Sequence, residues 1–137
     1  MKPPDDAKKT IVNEWLGKAN ADLALAEFLL SHEIAFPNAI ALHCQQAAEK
    51  YLKTLLTWWD IEFPKTHELA RLIQLVETKD SELAASLSDV IALTPYAVAL
   101  RYPGDEIDAT AAEAREAVQL ARQVRDAVVQ LVPVADA

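Results

Sequence analysis

The sequence predicts an all-α fold, a single antiparallel bundle of five helices in a four-helix-bundle-like arrangement, on three observations. Apolar residues recur at intervals of three and four, most clearly at Val12, Leu16, Ala19, Leu23, Ala26 and Leu30, and again at Ala114, Ala117, Ala121, Val124, Val128 and Leu131. That is the spacing of one helix face. Only two glycines occur in 137 residues, while alanine and leucine abound, a composition that favours helix over sheet. No stretch alternates apolar and polar residues as a half-buried strand would. At this length, 52% hydrophobic content suits one domain with its own core, spanning 1–137 with a polar lead at 1–7 and a short tail at 132–137.

The first helix is expected over about Lys8–Ser31, capped by Asp5 or Asp6. Gly17 and Ala19 leave room for close approach of a neighbour, and Trp15, off the narrow seam, either widens the core or meets another subunit. Pro37 suits the first turn of the second helix, which must stop near Trp59 because Asp60 to Pro64 lacks the helical period. Thr66 is the expected N-cap of a third helix with Leu69, Leu72, Ile73 and Val76 on its buried face. Ser81 is expected to cap a fourth, running through Leu83, Leu87, Val90 and Ile91 until Pro95 interrupts it; Tyr96 to Tyr102 then resumes as a short turn. The last helix starts at Asp108 or at Thr110, which with Glu113 makes a capping box, and ends at Pro133.

Charge and composition exclude several functions. The net charge of −8 is unevenly placed: residues 1–42 and 43–71 are near balance, whereas residues 72–137 carry five basic and eleven acidic groups. Broad binding to a nucleic-acid backbone needs a basic surface, and this chain lacks one. The opening MKPPDDAKKT puts charge where a signal peptide needs an apolar run. No apolar run approaches the ~18 residues of a membrane span. The single cysteine, Cys44, cannot form an internal disulfide and fits a reducing compartment, so a cytoplasmic protein without membrane association is expected. No HExxH, CxxC or ExxH pattern suggests a metal, and two glycines cannot build a phosphate loop, so neither metal nor cofactor is expected.

The informative stretch is HCQQAAEKYLKTLLTWWDIEFPKTH, residues 43–67. On a helix, Ile40, Cys44, Ala47, Ala48, Tyr51, Leu52, Leu55, Trp58 and Trp59 cover about half the circumference, with His43, Gln46, Lys50, Lys53 and Thr57 opposite. Gln45 falls inside the apolar arc and needs a hydrogen-bond partner there. The bland reading of Glu49, Lys50 and Lys53 is a solvated face, and that of Arg101-Tyr102-Pro103-Gly104 a turn whose arginine pairs with a carboxylate.

Read together, these segments resemble the HEPN family, the nucleotide-binding domain of higher eukaryotes and prokaryotes. Gln45, Gln46, Glu49, Lys50 and Lys53 are similar to the family's glutamine–glutamate–lysine helix. Thr66, His67 and Leu69 resemble the start of its third helix, and Arg101-Tyr102-Pro103 its arginine–tyrosine–proline corner. The resemblance implies a HEPN-type bundle that forms a homodimer, binds a nucleotide or RNA, and works beside a small nucleotidyltransferase-fold partner in toxin–antitoxin pairs. On it, the candidate ligand-binding residues are Lys50, Lys53, His67, Arg101 and Tyr102, supported by Gln45, Gln46, Glu49 and Thr66. Lysine and arginine would supply phosphate contacts, and Tyr102 would stack on a base.

Many members of that family are ribonucleases with an arginine, four to six intervening residues, then a histidine. Here the histidines are at 32, 43 and 67 and the first arginine is Arg71, so every histidine precedes every arginine. After Arg101 the permitted positions hold Glu106, Ile107 and Asp108. The expectation is a non-catalytic module. The alternatives are a ribonuclease with an atypical site, using His43 or His67 as base and Arg101 to stabilise charge, and a purely structural dimerisation module.

Overall fold

The long apolar rows of the sequence become three long helices, α1 (Asp5–His32), α2 (Pro37–Trp58) and α5 (Ala111–Leu131). Between α2 and α5 lie two short helices, α3 (Leu69–Glu77) and α4 (Ser81–Ser86), and a 3-10 helix, Ser88–Tyr96. The computed structural model describes residues 5–32, 36–97 and 108–133. Among these no strand occurs, and no helix is long and apolar enough to cross a membrane. The Arg101–Pro103 corner lies outside the described residues.

α2 is the central member, with 13 of its 22 residues buried. Pro37 occupies its first turn, where the missing N–H costs nothing. Its end is a Schellman motif built on aspartate: Asp60 takes φ +60, Ile61 N–H donates to Leu56 C=O at 2.9 Å, and Asp60 N–H donates to Thr57 C=O at 3.1 Å. Aspartate is among the few side chains that tolerate this left-handed conformation.

α1 lies antiparallel to α2. Lys8, near its start, pairs with Asp60 just beyond the end of α2 at 3.0 Å, and Tyr51 donates to Asn20 at mid-length. At the start of α2, Asn38 donates to Asp108 at 3.1 Å and accepts from Ala109 N–H at 2.6 Å. α2 and α5 therefore begin at the same end of the bundle, and the α3-to-3-10 segment returns the chain there. Thr110 and Glu113 form the reciprocal capping box that starts α5.

Several local expectations are corrected. α1 begins at Asp5, so helix takes in residues 5–7 of the predicted lead, and Val132, assigned to the tail, is buried. α3 begins at Leu69 rather than next to Thr66, whose hydroxyl accepts from Glu68 N–H in a local turn. The cap of α4 is Asp80, not Ser81, accepting from Leu83 N–H at 3.0 Å. The predicted fourth helix breaks at Leu87 and continues as 3-10. With three residues per turn, Leu87, Val90 and Leu93 align on the core while Ile91 rotates outward to 37% exposure.

The tryptophans are half-buried, and each is met from within the chain. Trp15 packs edge-on against Phe63 at 6.2 Å between centroids, Lys8 lies 4.6 Å over Trp58, and Lys79 lies 5.9 Å over Trp59. They do not require a partner surface. Gly17 stands on the outer side of α1, where an added Cβ would meet nothing within 4 Å. An exposed mid-helix glycine costs ~0.5–1 kcal/mol relative to alanine.

Candidate functional site

Gln45, Glu49 and Lys53 follow one another at the i, i+4 spacing, so α2 sets them in a single row. The row lies inside the buried arc, at 1%, 5% and 6% exposure. Lys53 is thus not on a solvent face beside Lys50, as the helical pattern suggested. The long stem carries its ammonium into a cage made by residues distant in sequence, 5.3 Å from the Trp15 ring and 5.8 Å from that of Phe63.

Glu49 is the hub of this row. One carboxylate oxygen accepts from Lys53 at 2.9 Å; the other accepts from Gln45 at 3.1 Å and from His67 Nδ1 at 2.9 Å. Burial alone would raise its pKa. The hydrogen bonds from Lys53 and His67, the charge of Lys53 and the bond from Gln45 outweigh that and hold it below the ordinary 4.5. Because an ionised carboxylate only accepts, His67 Nδ1 carries a proton, and Nε2 has no partner among the described residues in a side chain that is 49% exposed. His67 is therefore the exposed member of the group.

Gln45 also donates to His67 C=O at 3.3 Å, which pins the loop before α3 to α2. Its own oxygen is buried with no partner among the described residues. Flipping the amide would set that oxygen against two acceptors, so the orientation is fixed by Glu49 and the His67 carbonyl. Gln45→Ala should destabilise the fold by about 1–3 kcal/mol, because the His67 carbonyl and Glu49 each lose a donor. Gln46→Ala, on the half-buried side, should cost much less. Urea melts of the two variants compare them directly, and equal shifts would contradict this assignment.

Lys50 belongs to a different groove. It donates to Asp22 of α1 at 2.6 Å, and His43 Nδ1 lies 3.0 Å from the other oxygen of the same carboxylate. The sequence-predicted set thus divides in two: Gln45, Glu49, Lys53 and His67 come together, with Thr66 beside them in the chain, while Lys50 pairs across to α1 and Gln46 stays outside both. Arg101 and Tyr102 lie outside the described residues. Phe63 and Asp22 escaped the sequence reading, and Trp15 was read there only as a core or interface residue; the one available signal was the Glu49–Lys53 spacing, which marks an ion pair but not its burial.

The start of α3 offers less to an anion than a bare helix terminus. Leu69 N–H donates to Thr94 at 3.2 Å, and Glu68 N–H to Thr66 at 3.0 Å. The Thr94 bond ties the 3-10 helix to the start of α3. Cys44 is fully buried, and burial pushes its thiol up to about 12, which removes it as a nucleophile. Among the described residues no three metal-binding side chains converge.

Against known families, residues 12–132 match the model described as the HEPN domain. No curated protein and no solved structure matches the chain.

Proposed function

The chain belongs to the HEPN domain family, and from that premise we propose a non-catalytic cytoplasmic module of toxin–antitoxin type. It works as a homodimer beside a small nucleotidyltransferase-fold partner and binds a nucleotide through His67, Arg101 and Tyr102. The observation that carries the non-catalytic reading is the order of residues. Every histidine precedes Arg71, so the family's arginine-then-histidine pair cannot be drawn in any register. Support for His67 as a ligand contact comes from its exposed edge, held in place by Glu49.

The ion pairs favour one change from the sequence reading. Lys53 is buried against Glu49 and Lys50 is committed to Asp22, so both serve the bundle rather than a phosphate. Binding then rests on fewer cations in a chain of net charge −8. It should be weak, with a dissociation constant on the order of 0.1–1 mM, and should weaken further with salt.

The test titrates ATP and short RNA at low salt against the wild type, His67→Ala and Arg101→Ala, with RNA integrity followed in parallel. We expect intact RNA throughout and nucleotide binding that both substitutions reduce. RNA cleavage that survives stringent purification and disappears in His67→Ala would overturn the non-catalytic reading. If no nucleotide binds and Arg101→Ala unfolds, the purely structural dimerisation role is the one that stands.

A further inference from the structure

Between the 3-10 helix and the first half of α5 lies a cavity of about 170 Å³. Its floor is apolar and well covered: Leu93, Ala117 and Leu120 line it at 1%, 1% and 7% exposure. Its rim is acidic. Glu113 and Glu116, both exposed, line it from α5, and the half-buried Tyr96 lines it from the 3-10 helix. The Glu113 carboxylate adds to burial in pushing the Tyr96 phenol up, so the ring faces the cavity uncharged. One oxygen of Glu113 accepts from Thr110 N–H in the capping box; its other oxygen and both oxygens of Glu116 have no partner among the described residues. Arg115 lies about 200° round the helix from both Glu113 and Ala117, away from the cavity, at 3.6 residues per turn. Asp89, one 3-10 turn before Ala92, adds a third carboxylate to this side. The groove is thus the focus of the acidic surplus of residues 72–137, and no cation of the described residues answers it.

We propose that this groove docks an arginine side chain of a protein partner, its guanidinium between the Tyr96 ring and the carboxylates of Glu116 and Glu113, its methylene stem on Leu93, Ala117 and Leu120. Arginine fits better than lysine. Its planar fork stacks on an aromatic face while it donates to a carboxylate, and its stem covers apolar surface. An exposed ion pair alone contributes little, but the floor and the ring exclude water from this one and strengthen it. Phosphate-bearing ligands are repelled by the same carboxylates, so the groove serves a protein and not the nucleotide. A second copy of this chain is the poorer occupant, because it brings the same charge of −8. The inference goes beyond the reading above: the surface is a different one, and it stands whether or not a nucleotide binds beside His67.

The probe is N-acetyl-arginine methylamide, titrated at low salt while backbone amides are followed by NMR. The uncharged citrulline counterpart and free arginine serve as controls. The capped arginine should bind with a dissociation constant on the order of 1–10 mM and shift amides of the 3-10 helix and the first half of α5. Citrulline, and free arginine with its own carboxylate, should bind several-fold more weakly. Glu116→Gln should weaken binding about threefold or more, and Ala92→Phe, which fills the groove from an exposed position, should abolish it with helical circular dichroism retained. Glu14→Gln, the same charge change on α1, should leave it unaltered. Groove amides that do not move, or that move equally with citrulline, overturn the proposal. So does binding that Glu14→Gln weakens as much as Glu116→Gln, which reduces the effect to net charge, and so does free arginine binding the tighter. Groove amides that are broadened in the wild type and sharpened by Ala92→Phe assign the groove to a second copy instead. Static light scattering judges the homodimer separately, as about twice the 15.1 kDa chain mass at micromolar concentration; a monomer overturns that reading and leaves the groove test standing.

Discussion

Glu49→Ala should destabilise the protein by about 3–5 kcal/mol, lowering the thermal midpoint by roughly 10–15 °C. The substitution strands the Lys53 ammonium, which is 6% exposed and has no carboxylate other than Glu49 within ion-pair distance among the described residues. It also removes an acceptor from Gln45 and from His67. Lys53→Met should cost much less, since its side chain still fills the Trp15–Phe63 cage and Glu49 keeps two donors. Replacing both, Glu49→Leu with Lys53→Met, should recover much of the loss, because a buried ion pair seldom outperforms well-packed apolar residues of similar volume. Urea melts of Glu49→Leu, Lys53→Met and the double give the coupling energy. Strict additivity would mean that the two side chains do not act as a pair.

That contrast explains how much of the molecule was legible in its sequence. Helix existence was, because apolar rows such as Val12–Leu16–Ala19–Leu23–Ala26 need no partner to be recognised, and all five of these residues are buried. Local chemistry was legible where it is complete within a few residues, as at Pro37 and at Thr110–Glu113. The 3-10 helix was hidden because the residues read as one helical face, Leu83, Leu87, Val90 and Ile91, fit a 3.6-residue period closely enough. Only the burial of Leu93 with Leu87 and Val90 reveals a period of three. Within the candidate site, Glu49 and Lys53 look like surface residues by type. Their burial depends on Trp15 from α1 and Phe63 from the loop beyond α2, neither of which is near them in sequence. Asp22 was equally hidden, since nothing in α1 singles out that carboxylate as the partner of both Lys50 and His43.

Acidification should remove the contribution of Glu49 in a defined window. Its carboxyl is held below 4.5 in the folded protein, so its ionised form is favoured by folding. Such a group stabilises fully above its unfolded value, and the contribution is lost as pH falls through the lower folded value. One proton changes stability by at most ~1.4 kcal/mol per pH unit. Glu49→Gln keeps the shape and one acceptor but no charge, so it should be markedly less stable than the wild type near pH 6 and should approach it as pH falls below the ordinary 4.5. The remaining carboxylates titrate in both proteins, so the difference between them isolates Glu49. A difference that stays constant with pH would mean that Glu49 is already neutral in the fold, and Lys53 would then be buried without a counter-charge. A difference that closes in this window assigns the buried row its role: an ionised Glu49 that neutralises Lys53 on one oxygen and, through the other, holds the imidazole of His67 at the surface.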